Sequence, residues 1–130
     1  MPDSPAAPRP AGPAASSGAP LCRGRARRLR PGHVSFLFTC GGEDVTAFVV
    51  RANRTLHSVV DPSYAFACER STYRSFDCTD IHSGAGSEGF GLASVSEPLC
   101  HRGAHLILRI TPTLNFEQTS APSFELRGPC

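Results

Sequence analysis

Six cysteines, Cys22, Cys40, Cys68, Cys78, Cys100 and Cys130, are spread through a chain of 130 residues, and no two lie closer than ten positions. That spacing constrains the fold more than any other feature. Structural zinc sites draw ligands from close pairs such as C-x2-C, and thioredoxin-type redox pairs need C-x-x-C; neither spacing occurs here. An even number of cysteines in a small domain reads as a disulfide framework, and disulfides persist in oxidising compartments.

One pairing follows from local pattern. In "CERSTYRSFDC" (68–78), Phe66 and Cys68 share a strand face, as do Phe76 and Cys78. Folding the segment into a hairpin brings the two cysteines opposite each other. Opposed Cβ atoms lie about 4.5–5.5 Å apart in such pairs. A disulfide needs about 3.5–4.5 Å, and strand twist closes the difference. Closing so short a loop contributes roughly 3 kcal/mol in the chain-entropy model. By elimination, Cys22 is expected to pair with Cys130, tying the chain ends together, and Cys40 with Cys100.

Period-two alternation and β-branched runs account for the rest of the body. "HVSFLFTC" places Val34, Phe36, Phe38 and Cys40 on one face and Ser35, Leu37 and Thr39 on the other. "VTAFVV", "TLHSVV", "YAFAC", "YRSFDC", "FGLASV", "HLILRIT" and "SFELR" follow, separated by turn signals such as "GGED", Asp61-Pro62 and the glycine loop "HSGAGSEG". Short strands at this spacing, with no stripe of helical period, predict an antiparallel immunoglobulin-like β-sandwich of seven or eight strands over residues 33–130. So small a domain buries a modest core, which fits a need for disulfide support.

Residues 1–32 differ. They hold seven prolines, nothing large and apolar between Met1 and Leu21, six arginines and one acid, against seven arginines and ten acids in residues 33–130. This reads as a disordered Pro/Ala/Arg-rich arm ending in "RGRARRLRPG". With no interleaved aromatics, the arginines are expected to be a solvated linker that reflects GC-rich codon use, with no specific nucleic acid as partner. The first twenty residues contain no apolar segment of the kind a secretory signal requires. The cysteines still argue for export, so the signal is expected to be missing from this sequence. No run approaches the length of a membrane span.

Chemistry-bearing clusters are sparse. Asp77, Asp80, His82 and Ser83 are neighbours in sequence, but on a strand Ser83 points away from Asp80 and His82, and there is no G-x-S-x-G elbow. Cys100, His101 and His105, with Cys78 and His82, could be imagined as a metal site. Gly103 and the strand beginning at His105 oppose the helix that such histidine spacing suits. "NRT" (53–55) matches the N-glycosylation acceptor. Tyr64, Phe66, Tyr73, Phe76 and Phe90 are the candidates for an aromatic-lined ligand cleft. No catalytic residue, metal or cofactor is predicted.

The elements "SFLFTC", "FACERSTYRSFDC", "DIHSGAGSEGFGLASVSEPLC", "LRITPT" and terminal "GPC" resemble small secreted β-sandwich proteins of GC-rich actinobacteria. The C-x9-C hairpin is also similar to that of the enediyne-carrier apoproteins. These resemblances imply a disulfide-pinned immunoglobulin-like fold and export, and the second also a ligand cleft. The expectation is therefore a secreted, monomeric, non-enzymatic interaction module for an unknown protein or small ligand. A small-ligand carrier is the alternative, and a hydrolase or metal protein ranks last.

Overall fold

The computed structural model describes residues 21–81, 86–96, 100 and 103–130. It contains nine strands: β1 (Arg23–Arg30), β2 (His33–Thr39), β3 (Val45–Ala52), β4 (Ser58–Val60), β5 (Phe66–Thr72), β6 (Ser75–Asp80), β7 (Glu88–Ser94), β8 (His105–Leu114) and β9 (Phe124–Pro129). They form two antiparallel sheets, a five-stranded one ordered β9-β8-β3-β6-β5 and a four-stranded one ordered β1-β2-β7-β4. The chain is thus an all-β immunoglobulin-like sandwich.

Alternation decides which faces meet. Val34, Phe36 and Phe38 of β2 point inward, as do Leu106, Leu108 and Ile110 of β8, and all six are essentially inaccessible to solvent. The core centres on an edge-to-face cluster. The Phe48 ring lies 5.9 Å from Phe36, 5.2 Å from Phe38 and 4.9 Å from Phe66. Such aromatic pairs contribute beyond the area they bury. Across the small sheet, Phe36 faces Gly91 and Phe38 faces Gly89. A Cβ at Gly89 would fall 2.0 Å from Phe38, and one at Gly91 2.5 Å from Phe36. These glycines are sockets for the two rings.

Two expectations are corrected here. The described residues form nine strands, because "RGRARRLR", read above as the end of a disordered arm, is strand β1. The positions paired with inward-facing Phe38, Phe36 and Val34 are Gly24, Ala26 and Arg28, two of them small and one charged, so none registers as an apolar alternation. Residues 1–20 of the expected arm lie outside the described residues. The disulfide pairing also differs. Cys68 joins Cys78 across the β5–β6 hairpin as the pattern predicts, but Cys22 joins Cys40 and Cys100 joins Cys130. With β1 formed, Arg23 is the register partner of Thr39, so Cys22 and Cys40 are the next cross-strand pair, with Cα atoms 4.0 Å apart. Elimination that ignored β1 paired Cys22 with the wrong partner.

β1 is therefore held at both ends. The Cys22–Cys40 disulfide clamps its start. At its end, the Pro31-Gly32 turn is stitched into the body: Gly32 N donates to Cys130 O at 3.0 Å, and Gly32 O accepts from Val95 N at 2.8 Å. Gly32 sits at φ 81°, a conformation in which glycine carries no Cβ penalty.

Candidate functional site

The outer faces of the two sheets carry charge differently. On the five-stranded sheet, Arg51, Arg109 and Arg127 stand among Glu69, Asp77 and Glu125, and Arg109 Nη2 contacts Glu125 Oε2 at 3.4 Å. Three cations meet three acids. On the four-stranded sheet, register puts Arg23 beside Thr39, Arg25 beside Leu37 and Arg27 beside Ser35, all facing outward. Side chains two apart along a strand share a face, so the arginine Cα atoms recur at about 6.6–6.8 Å. Glu88, partner of Thr39, is the acid on this face.

A bulge extends the row. The β1–β2 register slips between Arg28 and Arg30, leaving Leu29 unpaired and setting Arg30 beside His33. Without that extra residue the alternation would have carried Arg30 to the other face; bulges re-aim side chains in this way. Arg30 Nη2 lies 3.3 Å from His33 Nε2. Four arginines thus run along one face of one strand. Among the described residues none of their guanidiniums forms an ion pair.

Beside the row runs an apolar trough. Leu37 is the register partner of Phe90, and Leu92 of Val60. Hollows open along it: about 330 Å³ between Arg23, Arg25, Leu37 and Thr39, about 180 Å³ between Arg25, Arg27, Ser35 and Phe90, and about 480 Å³ bordered by Leu29, Arg30, His33, His57, Val60 and Leu92. Hydroxyls border the same face: Ser35 lies between Arg27 and Leu92, Thr39 between Arg23 and Glu88, and Ser94 beyond His33, where it bonds Ser58 at 2.5 Å. The surface can hold anionic groups against the arginines and an apolar body in the trough.

The five aromatics proposed as a cleft do not converge. Phe66 and Phe76 are buried, Phe66 against Phe48 and Phe76 beneath the Arg70 guanidinium, 4.9 Å from the ring centre. Tyr64 and Tyr73 stand in separate turns, 73% and 80% exposed, and Phe90 lies on the outer face just described. Tyr64 takes φ 62°, which breaks the alternation that would have placed it with Phe66. The buried Asp61 carboxylate fixes that turn by accepting from Ser63 N, Ser63 Oγ, Ala65 N and Phe66 N.

Of the acid–base cluster, Asp77 lies on the outer face of the five-stranded sheet and Asp80 at the end of β6, while His82 and Ser83 lie outside the described residues. His101 also lies outside them, and among the described residues no three potential ligands come close enough to hold a metal. Asn53 of the glycosylation motif has both side-chain termini engaged, donating to His105 O and accepting from Ile107 N, where β3 parts from β8. It closes the end of that ladder. Among the described residues no helix is long and apolar enough to cross a membrane.

No family model matches the sequence, and no curated protein matches it. Among solved structures, the chain is similar to the collagen-binding subdomain of the Enterococcus faecalis surface protein ACE, at 12% identity and a TM-score of 0.45, covering 88% of this chain and all of that one. A longer ACE structure, described as binding its ligands by the collagen hug model, aligns at 10% identity and 0.46, covering 87% of this chain and 51% of that one. The collagen-binding domain of a Staphylococcus aureus adhesin aligns at 9% and 0.45, covering 88% and 100%. These are surface-protein and adhesin domains, a different group from the actinobacterial proteins and enediyne carriers expected from the sequence. Likeness of this degree carries no site residue over to this chain.

Proposed function

We propose that the chain is a secreted, non-enzymatic interaction module that engages a negatively charged partner through the outer face of its four-stranded sheet. The observation that carries this reading is the row Arg23, Arg25, Arg27 and Arg30, which forms no ion pair among the described residues and is aligned beside an apolar trough. Arginine is suited to such work because its planar fork meets carboxylate, sulfate and phosphate oxygens two at a time. Codon bias does not account for the arrangement. It acts on the whole chain, yet the arginines of the other sheet are interleaved with acids.

Export fits the three disulfides, which persist where thiols are not kept reduced. The test is charge reversal. Oxidised protein and an Arg25→Glu/Arg27→Glu variant are passed over immobilised polyanions of several classes at about physiological ionic strength. The wild-type chain is expected to be retained by at least one and the variant by none. Failure of the wild-type chain to bind any of them, or equal retention of the variant, overturns the reading.

A further inference from the structure

Resting on that reading, we infer that the partner is a linear sulfated polysaccharide lying along β1, with its anionic groups on the arginines and its sugar rings over Leu37 and Phe90. The first support is shape. The row extends over eight residues including the bulge, roughly 20 Å of strand, and hollows open on its trough side from Arg23 to Arg30. A track of this kind fits a chain bearing repeated charges and is longer than a single small anion requires.

The second support comes from what a polypeptide would need. An extended peptide carries an amide N–H and C=O at nearly every residue, and buried ones must be paired. The face of a sheet offers side chains only, because its own backbone groups are spent in the sheet plane. A peptide laid over Leu37 and Phe90 would leave its main chain facing apolar surface. Strand addition at the free edge of β1 is obstructed too. β9 lies against that edge, so close that a Cβ on Gly128 would sit 3.0 Å from Ala26 O. A polysaccharide has no such backbone. Its ring C–H faces suit the trough, its hydroxyls find Ser35 and Thr39, and its sulfates find the guanidiniums. The mixture of cationic, apolar and hydroxyl groups on one face matches that chemistry group by group.

The test uses the full oxidised chain and heparin as the probe, a linear sulfated polysaccharide. Single-stranded DNA, polyaspartate and uncharged dextran serve as comparisons. Affinity is measured across salt concentrations. Neutralisation of four anionic groups predicts that log affinity falls with log salt at a slope of about 3, by analogy with the roughly 0.7–0.9 per charge seen for nucleic acids. An Arg25→Ser/Arg27→Ser variant, shown by its melting curve to be folded, is expected to lose at least tenfold in affinity and about 1.5 from that slope. An Arg51→Ser/Arg109→Ser variant on the opposite sheet is expected to bind within twofold of the wild-type chain. Leu37→Ser, which keeps every charge, should weaken heparin without changing the slope. The inference is overturned if DNA or polyaspartate binds as tightly as heparin, in which case the cationic face stands and the partner class is wrong. Equal loss in the opposite-sheet variant also overturns it, since diffuse attraction would then suffice. No binding to any polyanion removes both the inference and the reading beneath it.

Discussion

Gly89→Ala isolates how the Phe38 ring is seated on its neighbouring strand beneath the core. In a strand with room to spare, replacing glycine by alanine stabilises by roughly 0.5–1 kcal/mol, because glycine loses more freedom on folding. Gly89 is not among the glycines with positive φ, so its backbone suits an alanine. Space is the obstacle. The added Cβ would lie 2.0 Å from Cζ and 2.2 Å from Cε1 of Phe38, where carbon atoms prefer about 3.5–4.0 Å. The ring would have to retreat by about 1.5 Å. It has little freedom to do so, being fully buried and in contact with Phe48 at 5.2 Å and Phe124 at 5.3 Å. Overpacking of this severity costs about 2–3 kcal/mol, the upper part of the usual range. The expected sign is thus opposite to that of an open site.

Urea unfolding of the oxidised protein measures it, with a lowered midpoint and an unchanged slope as the expected result. A double-mutant cycle sharpens the claim. Phe38→Leu alone should destabilise by loss of ring contacts, and combined with Gly89→Ala it should restore at least 1 kcal/mol relative to additivity. A neutral Gly89→Ala, or two changes that simply add, would refute the socket.

Three other outcomes follow from the same structure. Replacing Cys68 and Cys78 together by Ala opens a ten-residue loop and should cost roughly 3 kcal/mol in a denaturant melt; no loss would mean that the β5–β6 register holds unaided. Phe116 is 73% exposed at φ 59°, directly after Asn115 at φ 54°, in a turn closed by Glu117 N donating to Leu114 O. Relief of left-handed strain, about 1–2 kcal/mol, less the entropy of a new glycine, about 0.4–1 kcal/mol, predicts that Phe116→Gly raises stability by about 0.5–1 kcal/mol, with a higher melting temperature as the check. Replacing Cys22 and Cys40 together by Ser should weaken heparin binding more than global stability explains, read as affinity measured well below the melting temperature, because it frees the start of the arginine strand.

The eight strands of the body were legible because they carry large apolar or β-branched residues between turn signals, with every second position apolar as in Val34, Phe36 and Phe38 or Leu106, Leu108 and Ile110. β1 was not, because alternation is visible only when the inward residues are large. Gly24 and Ala26 are small where β1 meets β2: a Cβ at Gly24 would fall 2.1 Å from Leu37 O. The tell-tale pattern was present in R-G-R-A-R, where arginines alternate with small residues as on a strand exposed on one side. The disulfides divide along the same line. Cys68–Cys78 is local to one hairpin and could be read from two matching faces. Cys22–Cys40 could be read only once β1 was known to pair with β2, and Cys100–Cys130 then follows by exclusion. The aromatic cleft failed for a related reason, since alternation says nothing of turns, and Tyr64 and Tyr73 both lie in turns.

An edge strand rich in arginine has a plain structural use, because charge on an edge discourages pairing with other chains. That use explains why β1 is charged and leaves its arrangement unexplained. Edge protection is indifferent to which face the charges take and to what lies beside them. In this chain β9 already lies against the β1 edge near Ala26. The Leu29 bulge nonetheless brings a fourth arginine onto the same face as the other three, and the trough beside them holds Leu37, Phe90 and Leu92 among hydroxyls. The strand that carries them buries little of its own, so it is held by its ladder to β2, by the Cys22–Cys40 bond at one end and by the bonds of Gly32 at the other. Fixing the backbone that carries four cationic side chains lowers the ordering cost of binding an extended partner, where preorganisation counts most. The disulfide that ties the row down forms only where thiols are oxidised, so the compartment that permits the fold is also the one in which the row is set for use.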